Sequence, residues 1–393
     1  HYRISDLSNL DVYISSVKFA NFGNIARSIA ERYDGGITYT RSLGHKNTLV
    51  SGLSSEKVSA DAPGIAEKRT DYLLGIYLQD EYKINSVIKF TAGIRFDKHT
   101  NLDWQYSPRI TANITPFKNH YFRVGVGQAF RKPSFLENYS YNIDGNVIQL
   151  GMVNATGLGN PEKITSYNID YQNIIGKVTS KISFFKNYVT DLINTTKIQP
   201  YETYNYAIIY DNLGNLNISG GEIELKTKPA DFVQLFANAS YQTINYETET
   251  QGQKLSVPEI KGNVGYLLNF KFGLFSYAAL HYTGKREAQF AYTYVSPEDA
   301  SIEYYFMQFP AISTLDINIG YNFKFSWGKI ETSIVCFNVM NERNIEYAVF
   351  DSGKAYFGLD KPEKNYTDVM KTQFENRNAL HDRKILMKLK FTF

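Results

Sequence analysis

Lys384-Ile385-Leu386-Met387-Lys388-Leu389-Lys390-Phe391-Thr392-Phe393 closes the chain with the alternation of a two-faced β-strand. Ile385, Met387, Leu389, Phe391 and Phe393 fall on one face of an extended strand, with Lys384, Lys388, Lys390 and Thr392 on the other, because successive strand side chains point to opposite sides. A helix would scatter both sets around its circumference. Further back, Leu315, Ile317, Ile319, Tyr321, Phe323 and Phe325 alternate in the same way with Asp316, Asn318, Gly320, Asn322 and Lys324. So do Ile88, Phe90, Ala92, Ile94 and Phe96 against Lys89, Thr91, Gly93, Arg95 and Asp97.

Period two runs from end to end and predicts about sixteen strands. They are placed at Leu10–Ala20, Asp34–Leu43, Lys46–Lys57, Asp71–Lys83, Val87–Lys98, Tyr106–Thr115, His120–Phe130 and Lys163–Ile175, then at Lys177–Thr190, Ile208–Lys228, Asp231–Glu247, Pro258–Phe270, Leu274–Gln289, Ala311–Phe325, Gly328–Asn341 and Arg383–Phe393. Many have ten residues or more, which suits a tilted membrane strand better than the five or six of a globular sheet. Asn24 to Arg32 is read as a short amphipathic helix. Short turns at Gly44-His45, Asn85-Ser86, Pro116 to Asn119, Gly176, Pro229-Ala230, Lys271 to Gly273 and Ser326-Trp327 are interleaved with longer loops, at Lys132 to Glu162, Gln199 to Ala207, Phe290 to Pro310 and Asn341 to Asp382. Short turns on one side and long loops on the other are the pattern of an outer-membrane barrel, with the short turns periplasmic. No linker divides residues 1–393, so one domain is expected.

The composition agrees. The 393 residues include 31 Tyr and 26 Phe, yet mean hydropathy is mildly negative and no run approaches the roughly 18 apolar residues of a membrane helix. The single cysteine, Cys336, excludes an internal disulfide and a thiolate metal cluster, and its run Ser333-Ile334-Val335-Cys336-Phe337 makes it a small hydrophobe on a strand. A net charge of +3 gives no nucleic-acid footprint. On the segment from Gly221 to Lys228, Glu222, Glu224, Lys226 and Lys228 oppose Gly221, Ile223, Leu225 and Thr227. In a membrane barrel this charged face looks into the lumen; in two packed soluble sheets the faces are reversed. Alternation does not choose between the two, but sixteen strands enclose a space too wide for side chains to fill, which favours the membrane version.

Several motifs, in order, resemble the TonB-dependent receptors. Tyr77-Leu78-Gln79-Asp80-Glu81-Tyr82 is followed by Gly93-Ile94-Arg95-Phe96-Asp97 and Ser107-Pro108-Arg109. Gly127-Gln128-Ala129-Phe130-Arg131-Lys132-Pro133-Ser134-Phe135-Leu136-Glu137 is similar to the family's Phe-Arg-x-Pro box, and Asn160-Pro161-Glu162-Lys163 to its next strand start. Gly220-Gly221-Glu222-Ile223-Glu224, Val257-Pro258 and Phe337-Asn338-Val339-Met340-Asn341 match later landmarks. The resemblance implies an all-β, transmembrane antiparallel barrel of twenty-two strands, of which these are the last sixteen. The chain opens on His1 with no signal peptide, so a plug domain, a TonB-binding peptide and about six strands are expected upstream. The aromatic C-terminus, Phe393, resembles the signal read by the barrel-assembly machinery.

The function implied is active import of a scarce nutrient through the outer membrane, with energy from the TonB complex. The partners expected are that complex, the assembly machinery, outer-membrane lipids, a small-molecule or chelate ligand and a surface lipoprotein. No cofactor or metal is expected, and neither a Gly-x-Ser-x-Gly elbow nor a His-Glu-x-x-His pair points to catalysis. His1, His45, His99, His120, His281 and His381 have no ligand spacing. Rings give flat contact area, so the ligand candidates are Tyr139, Tyr141, Tyr201, Tyr204, Tyr206, Tyr292, Tyr294, Tyr304 and Tyr305, against the alternative that they form the interfacial girdle or pack loop on loop. Arg131 suits an anionic chelate, against the alternative of pairing with a loop or plug carboxylate. No histidine lies between Phe130 and Asn160, where haem receptors of the family carry one, which ranks a ferric siderophore, a cobalamin-like chelate or an oligosaccharide above haem. A passive sixteen-stranded porin, a surface carbohydrate-binding β protein and an outer-membrane hydrolase are the rival readings.

Overall fold

The structure is a computed structural model and describes residues 2–5, 7–22, 27–65, 67–145, 147–155, 157, 159–198, 202–204, 206–247, 257–295, 302–342, 356–357 and 383–392. In chain order these form β1 (Tyr2–Ser5), β2 (Ser8–Phe22), β3 (Arg27–Leu43), β4 (Asn47–Asp61), β5 (Arg69–Lys83), β6 (Ile88–His99), β7 (Leu102–Phe117) and β8 (His120–Arg131). There follow α1 (Phe135–Tyr139), β9 (Tyr141–Asp144), β10 (Val147–Leu150), α2 (Met152–Ala155), β11 (Glu162–Ile175), β12 (Val178–Thr190), β13 (Ile193–Ile198), β14 (Tyr206–Asn212) and β15 (Leu216–Ala230). The remainder are β16 (Val233–Tyr246), β17 (Ile260–Asn269), β18 (Leu274–Thr283), β19 (Arg286–Val295), β20 (Ile302–Phe309), β21 (Ile312–Phe325), β22 (Gly328–Phe337), β23 (Tyr356–Phe357) and β24 (Lys384–Thr392). No helix among the described residues is long and apolar enough to cross a membrane.

Each of the sixteen expected segments contains a strand; the differences lie between the segments and inside two of them. Asn24 to Arg32 is not a helix where it is described, because Arg27 to Arg32 belong to β3, paired with β2 from Phe22↔Arg27 and with β4 from Ile29↔Asp61. Lys18 meets Glu31 at 2.7 Å and Arg32 meets Glu56 at 2.7 Å across these ladders, so pairing on both sides overrides the helical spacing. Ile208–Lys228 divides into β14 and β15, and Leu274–Gln289 into β18 and β19. The expected loop Lys132 to Glu162 contains α1, β9, β10 and α2; of Asn341 to Asp382 only the start and β23 are described. The connection from β6 to β7 is two residues, Thr100 and Asn101. Gly44 and Gly176 take positive φ (66° and 59°) in the tight turns after β3 and β11, a backbone that a side chain would strain.

The chain forms two compact units, one of His1–Tyr171, Phe184–Ser219 and Ile244–Gly252, the other of Gln172–Ser183, Gly220–Thr243 and Gln253–Phe393. In the first, β2 to β8 form a continuous antiparallel ladder, extended by β1 beside β2 and by β11 beside β8. In the second, β16, β17, β18, β21, β22 and β24 pair in that order, all antiparallel.

Register divides each ladder into an apolar and a polar face. Ile334 pairs Met387 and Thr332 pairs Leu389 on one side, while Glu331 pairs Lys390 and Ser333 pairs Lys388 on the other. Met387 is 81% exposed and Ile334 59%, so among the described residues nothing covers the apolar side. Cys336 pairs with Ile385 and Ile317 on that side, as a small hydrophobe. On the polar side Glu331 takes Lys388 at 3.4 Å and Lys329 at 3.5 Å. In the first unit Ile76 and Leu78 oppose Phe96 and Ile94, while Tyr77 and Gly75 oppose Arg95 and Asp97. Apolar side chains left open and charges paired with each other on the opposite face fit a sheet with lipid on one side and water on the other.

Candidate functional site

The long-connection end of β8 and β11 carries a small folded body, here the platform. Its sheet runs β13-β14-β10-β9, with β10 parallel to β14 and the other pairs antiparallel. Ile148, Leu150, Ala207 and Ile209 form its core, with Tyr204 packed against them, and Met152 and Leu216 are fully buried. Four strands with a core of their own hold a shape that an irregular loop would not.

Arg131, the last residue of β8, joins the platform to the ladder. Its Nε donates to Glu162 Oε2 at 2.5 Å, and Nη1 and Nη2 donate to the two oxygens of Glu137 at 2.8 and 3.0 Å. Glu162, at the start of β11, also accepts the Ile193 backbone N–H at 2.9 Å, so one guanidinium links β8, α1, β11 and β13. Glu137 closes a capping box, accepting Ser134 N–H at 2.6 Å while Ser134 Oγ accepts Glu137 N–H at 3.2 Å. Burial pushes the Glu137 carboxyl up, but the hydrogen bonds from Arg131 and Ser134 outweigh it, and the carboxyl stays below the usual carboxylate range. Asn212 completes the anchorage: its side chain accepts Asn160 N–H at 2.8 Å and donates to the carbonyls of Asn160 and Asp191 at 3.0 and 2.6 Å.

A second attachment lies at Asp71, the buried third residue of β5. Its Oδ1 accepts the Tyr139 hydroxyl at 3.0 Å and Oδ2 faces Lys132 Nζ at 3.4 Å. Asn101 donates to the same hydroxyl, and the Arg69 guanidinium lies over the Tyr139 ring, 5.1 Å from its centroid. Burial first, and then the Asp71 charge, push the Tyr139 phenol well up, so it stays a donor. Pro133 is fully buried between the two attachments.

From Asp71 the same face of β5 continues through Tyr77 and Gln79 into a polar cleft of about 590 Å³. Arg95 grips Asp97 with Nε and Nη2 at 2.9 and 2.7 Å, donates to Ser54 Oγ at 3.0 Å and lies over the Tyr77 ring. Tyr77 meets Thr38 Oγ1 at 2.5 Å. Arg109, exposed in the cleft, donates to Gln79. Of the described His, Cys, Asp and Glu side chains, none form a group able to hold a metal ion.

The sequence candidates thus have different positions. Arg131 and Tyr139 are structural anchors: the guanidinium is shared by two carboxylates and the ring is 4% exposed. Tyr141, on β9, is 44% exposed. Tyr204 is half-buried against the platform core. Tyr206 lies in β14, Tyr292 and Tyr294 in β19, and Tyr304 and Tyr305 in β20, with side chains outside the described ones; Tyr201 and Phe393 lie outside the described residues altogether. Glu137, Glu162 and Asp71, the partners of Arg131 and Tyr139, are not among the sequence candidates. Ser134-x-x-Glu137 carried a readable capping signal, whereas nothing near Asp71 in the sequence points to Tyr139.

Residues 4–341 match the family model described as TonB dependent receptor-like, beta-barrel. A curated relative from Acinetobacter baumannii, described as "Probable TonB-dependent siderophore receptor PirA", is 28% identical over 144 residues, 34% of this chain and 19% of the relative. The fold is similar to that of the siderophore receptor PirA from Pseudomonas aeruginosa (TM-score 0.68, 14% identity, 86% of this chain and 59% of that one). It is also similar to PirA from Acinetobacter baumannii (0.64, 16%, 86% and 56%) and to the FrpB iron transporter from Neisseria meningitidis (0.64, 12%, 86% and 56%). The chain spans less than two thirds of the length of each. With the two-faced ladders and the match over most of its length, the chain belongs to the TonB-dependent receptor β-barrel family and is an outer-membrane protein of Gram-negative bacteria.

Proposed function

We propose that the chain forms the wall and outer receptor surface of a transporter that imports a metal chelate, a ferric siderophore in preference to a cobalamin-like chelate or an oligosaccharide, with energy from the TonB complex. The observation that carries the reading is the platform: a family barrel whose long-connection end bears a body with its own core, beside a face lined by polar and charged side chains. A passive pore needs an open mouth, whereas a receptor needs a surface of fixed shape that meets its ligand before the lumen does. In this reading Arg131 and Tyr139 hold the surface, and Tyr141 is the ring offered to the ligand. The siderophore class draws on the likeness to the Acinetobacter baumannii relative.

The test is uptake of radioactive iron as a catecholate or hydroxamate chelate by cells that rely on this protein, with and without an uncoupler of the inner membrane. Saturable uptake abolished by the uncoupler is expected. Uptake that rises linearly with concentration and ignores the uncoupler contradicts active import, and saturable uptake of cobalamin or an oligosaccharide in place of iron contradicts the siderophore assignment.

A further inference from the structure

Lys186 is a cation on the apolar face. By strand alternation Phe184, Lys186 and Tyr188 take one side of β12. That side borders a groove of about 560 Å³ walled by Phe90, Ile110, Val126, Ile169 and Phe184, with the small Ala112 at its floor; Lys186 lines the same groove. Its Nζ lies 4.8 Å from the centroid of the Tyr188 ring, and Tyr188 meets Tyr167 edge-on at 6.1 Å. Among the described residues no carboxylate pairs with Lys186.

Height along the strand gives this arrangement its meaning. β12 starts at Val178, just past the short turn, and about nine to eleven tilted residues cross the hydrocarbon. Lys186 is the ninth strand residue and Tyr188 the eleventh. The two therefore reach the outer interface, where tyrosines form a girdle and a cation is tolerated. The ring face lies beside the ammonium, and no described carboxylate neutralises it, which leaves the charge open to an anionic headgroup of the bilayer.

We infer that this groove is a binding site for a lipid of the outer leaflet whose phosphate-bearing headgroup has a net negative charge, with one acyl chain against Ala112 and the phosphate on Lys186. The assignment goes beyond chelate import and rests on the lipid-facing wall alone. Charge complementarity commits it to an acidic headgroup, and the continuous apolar groove next to the cation commits it to a lipid over a free anion.

The protein purified from its own outer membrane is exchanged into micelles containing equal dioleoyl phosphatidylglycerol and dioleoyl phosphatidylcholine, and retained lipid is read by native mass spectrometry. The native protein is expected to retain the acidic lipid about fivefold over the neutral one, the effect of one lysine near a charged surface. Lys186→Gln should bring that ratio to about one with total retained lipid unchanged. Ala112→Phe, which fills the groove floor, should lower both lipids alike, with heat-dependent gel mobility checking that each variant is folded. An unchanged ratio in Lys186→Gln overturns the inference and leaves a lysine that merely reaches for water. Displacement of the acidic lipid by millimolar inorganic phosphate also overturns it, by showing an anion site with no use for the chain.

Discussion

In β21, β22 and β24 the residues that determine structure are two apart, whereas in the platform they lie far apart in sequence: Arg131 and Glu162 are separated by 31 positions and Tyr139 and Asp71 by 68. The ladder is repetitive, so each residue's environment follows from its parity and the solvent on that side. The platform has no such repeat. Its stability rests on a small core and on a few charged hydrogen bonds at its base, which makes it sensitive to single side chains that the ladder would ignore.

The sharpest way to break this contrast is to exchange solvents across one strand. Ile334→Arg puts a charge on the exposed apolar face and should cost about 2–4 kcal/mol near the membrane midplane, whereas Val335→Arg, on the polar face, should stay within about 1 kcal/mol. Unfolding in urea from a lipid bilayer measures both, and equal costs would show that the two faces see the same medium. Next is Arg131→Met, which keeps bulk but leaves Glu137 and Glu162 without their cation. Discounted for a half-exposed guanidinium, the loss is about 1–3 kcal/mol and local. Hydrogen exchange in residues 135–155 and 193–212 should quicken about fivefold or more, with β21 and β22 unchanged. Ser134→Ala removes the α1 cap and should cost about 1 kcal/mol, read in the same exchange experiment. The smallest effect is the response to acid. The folded Glu137 carboxyl titrates below its ordinary 4.5, so its stabilisation is complete above that value and is lost as pH falls through the lowered one. Exchange in the platform should therefore accelerate below about pH 4.5 more in the native protein than in Glu137→Gln. An identical acid response would remove Glu137 from the account.

The same contrast explains what the sequence could tell. All sixteen long strands were legible because Ile385, Met387, Leu389 and Phe391 need no partner's identity to declare their face. Ile25, Ala26, Ile29 and Ala30 have helical spacing, and only the ladder with β2 and β4 turns Arg27 to Arg32 into strand. The break between β14 and β15 falls at Asn212-Leu213-Gly214-Asn215, whose turn residues are masked in the sequence by the apolar alternation on either side. At the base of the platform the Phe-Arg-x-Pro box marked Arg131 as notable without saying why. The reason, two carboxylates reached from α1 and β11, depends on how the chain returns and has no local signature.

The central claim, that the platform end faces the outside of the cell and the short turns the periplasm, is tested most directly by labelling intact cells with a polymer-linked maleimide too large for general pores. In a Cys336→Ala background, Asn142→Cys on exposed β9 is compared with Lys118→Cys in the turn between β7 and β8. The account predicts that Asn142→Cys reacts in intact cells and Lys118→Cys only after the outer membrane is permeabilised. The reverse pattern, or equal labelling of both sites in intact cells, contradicts it.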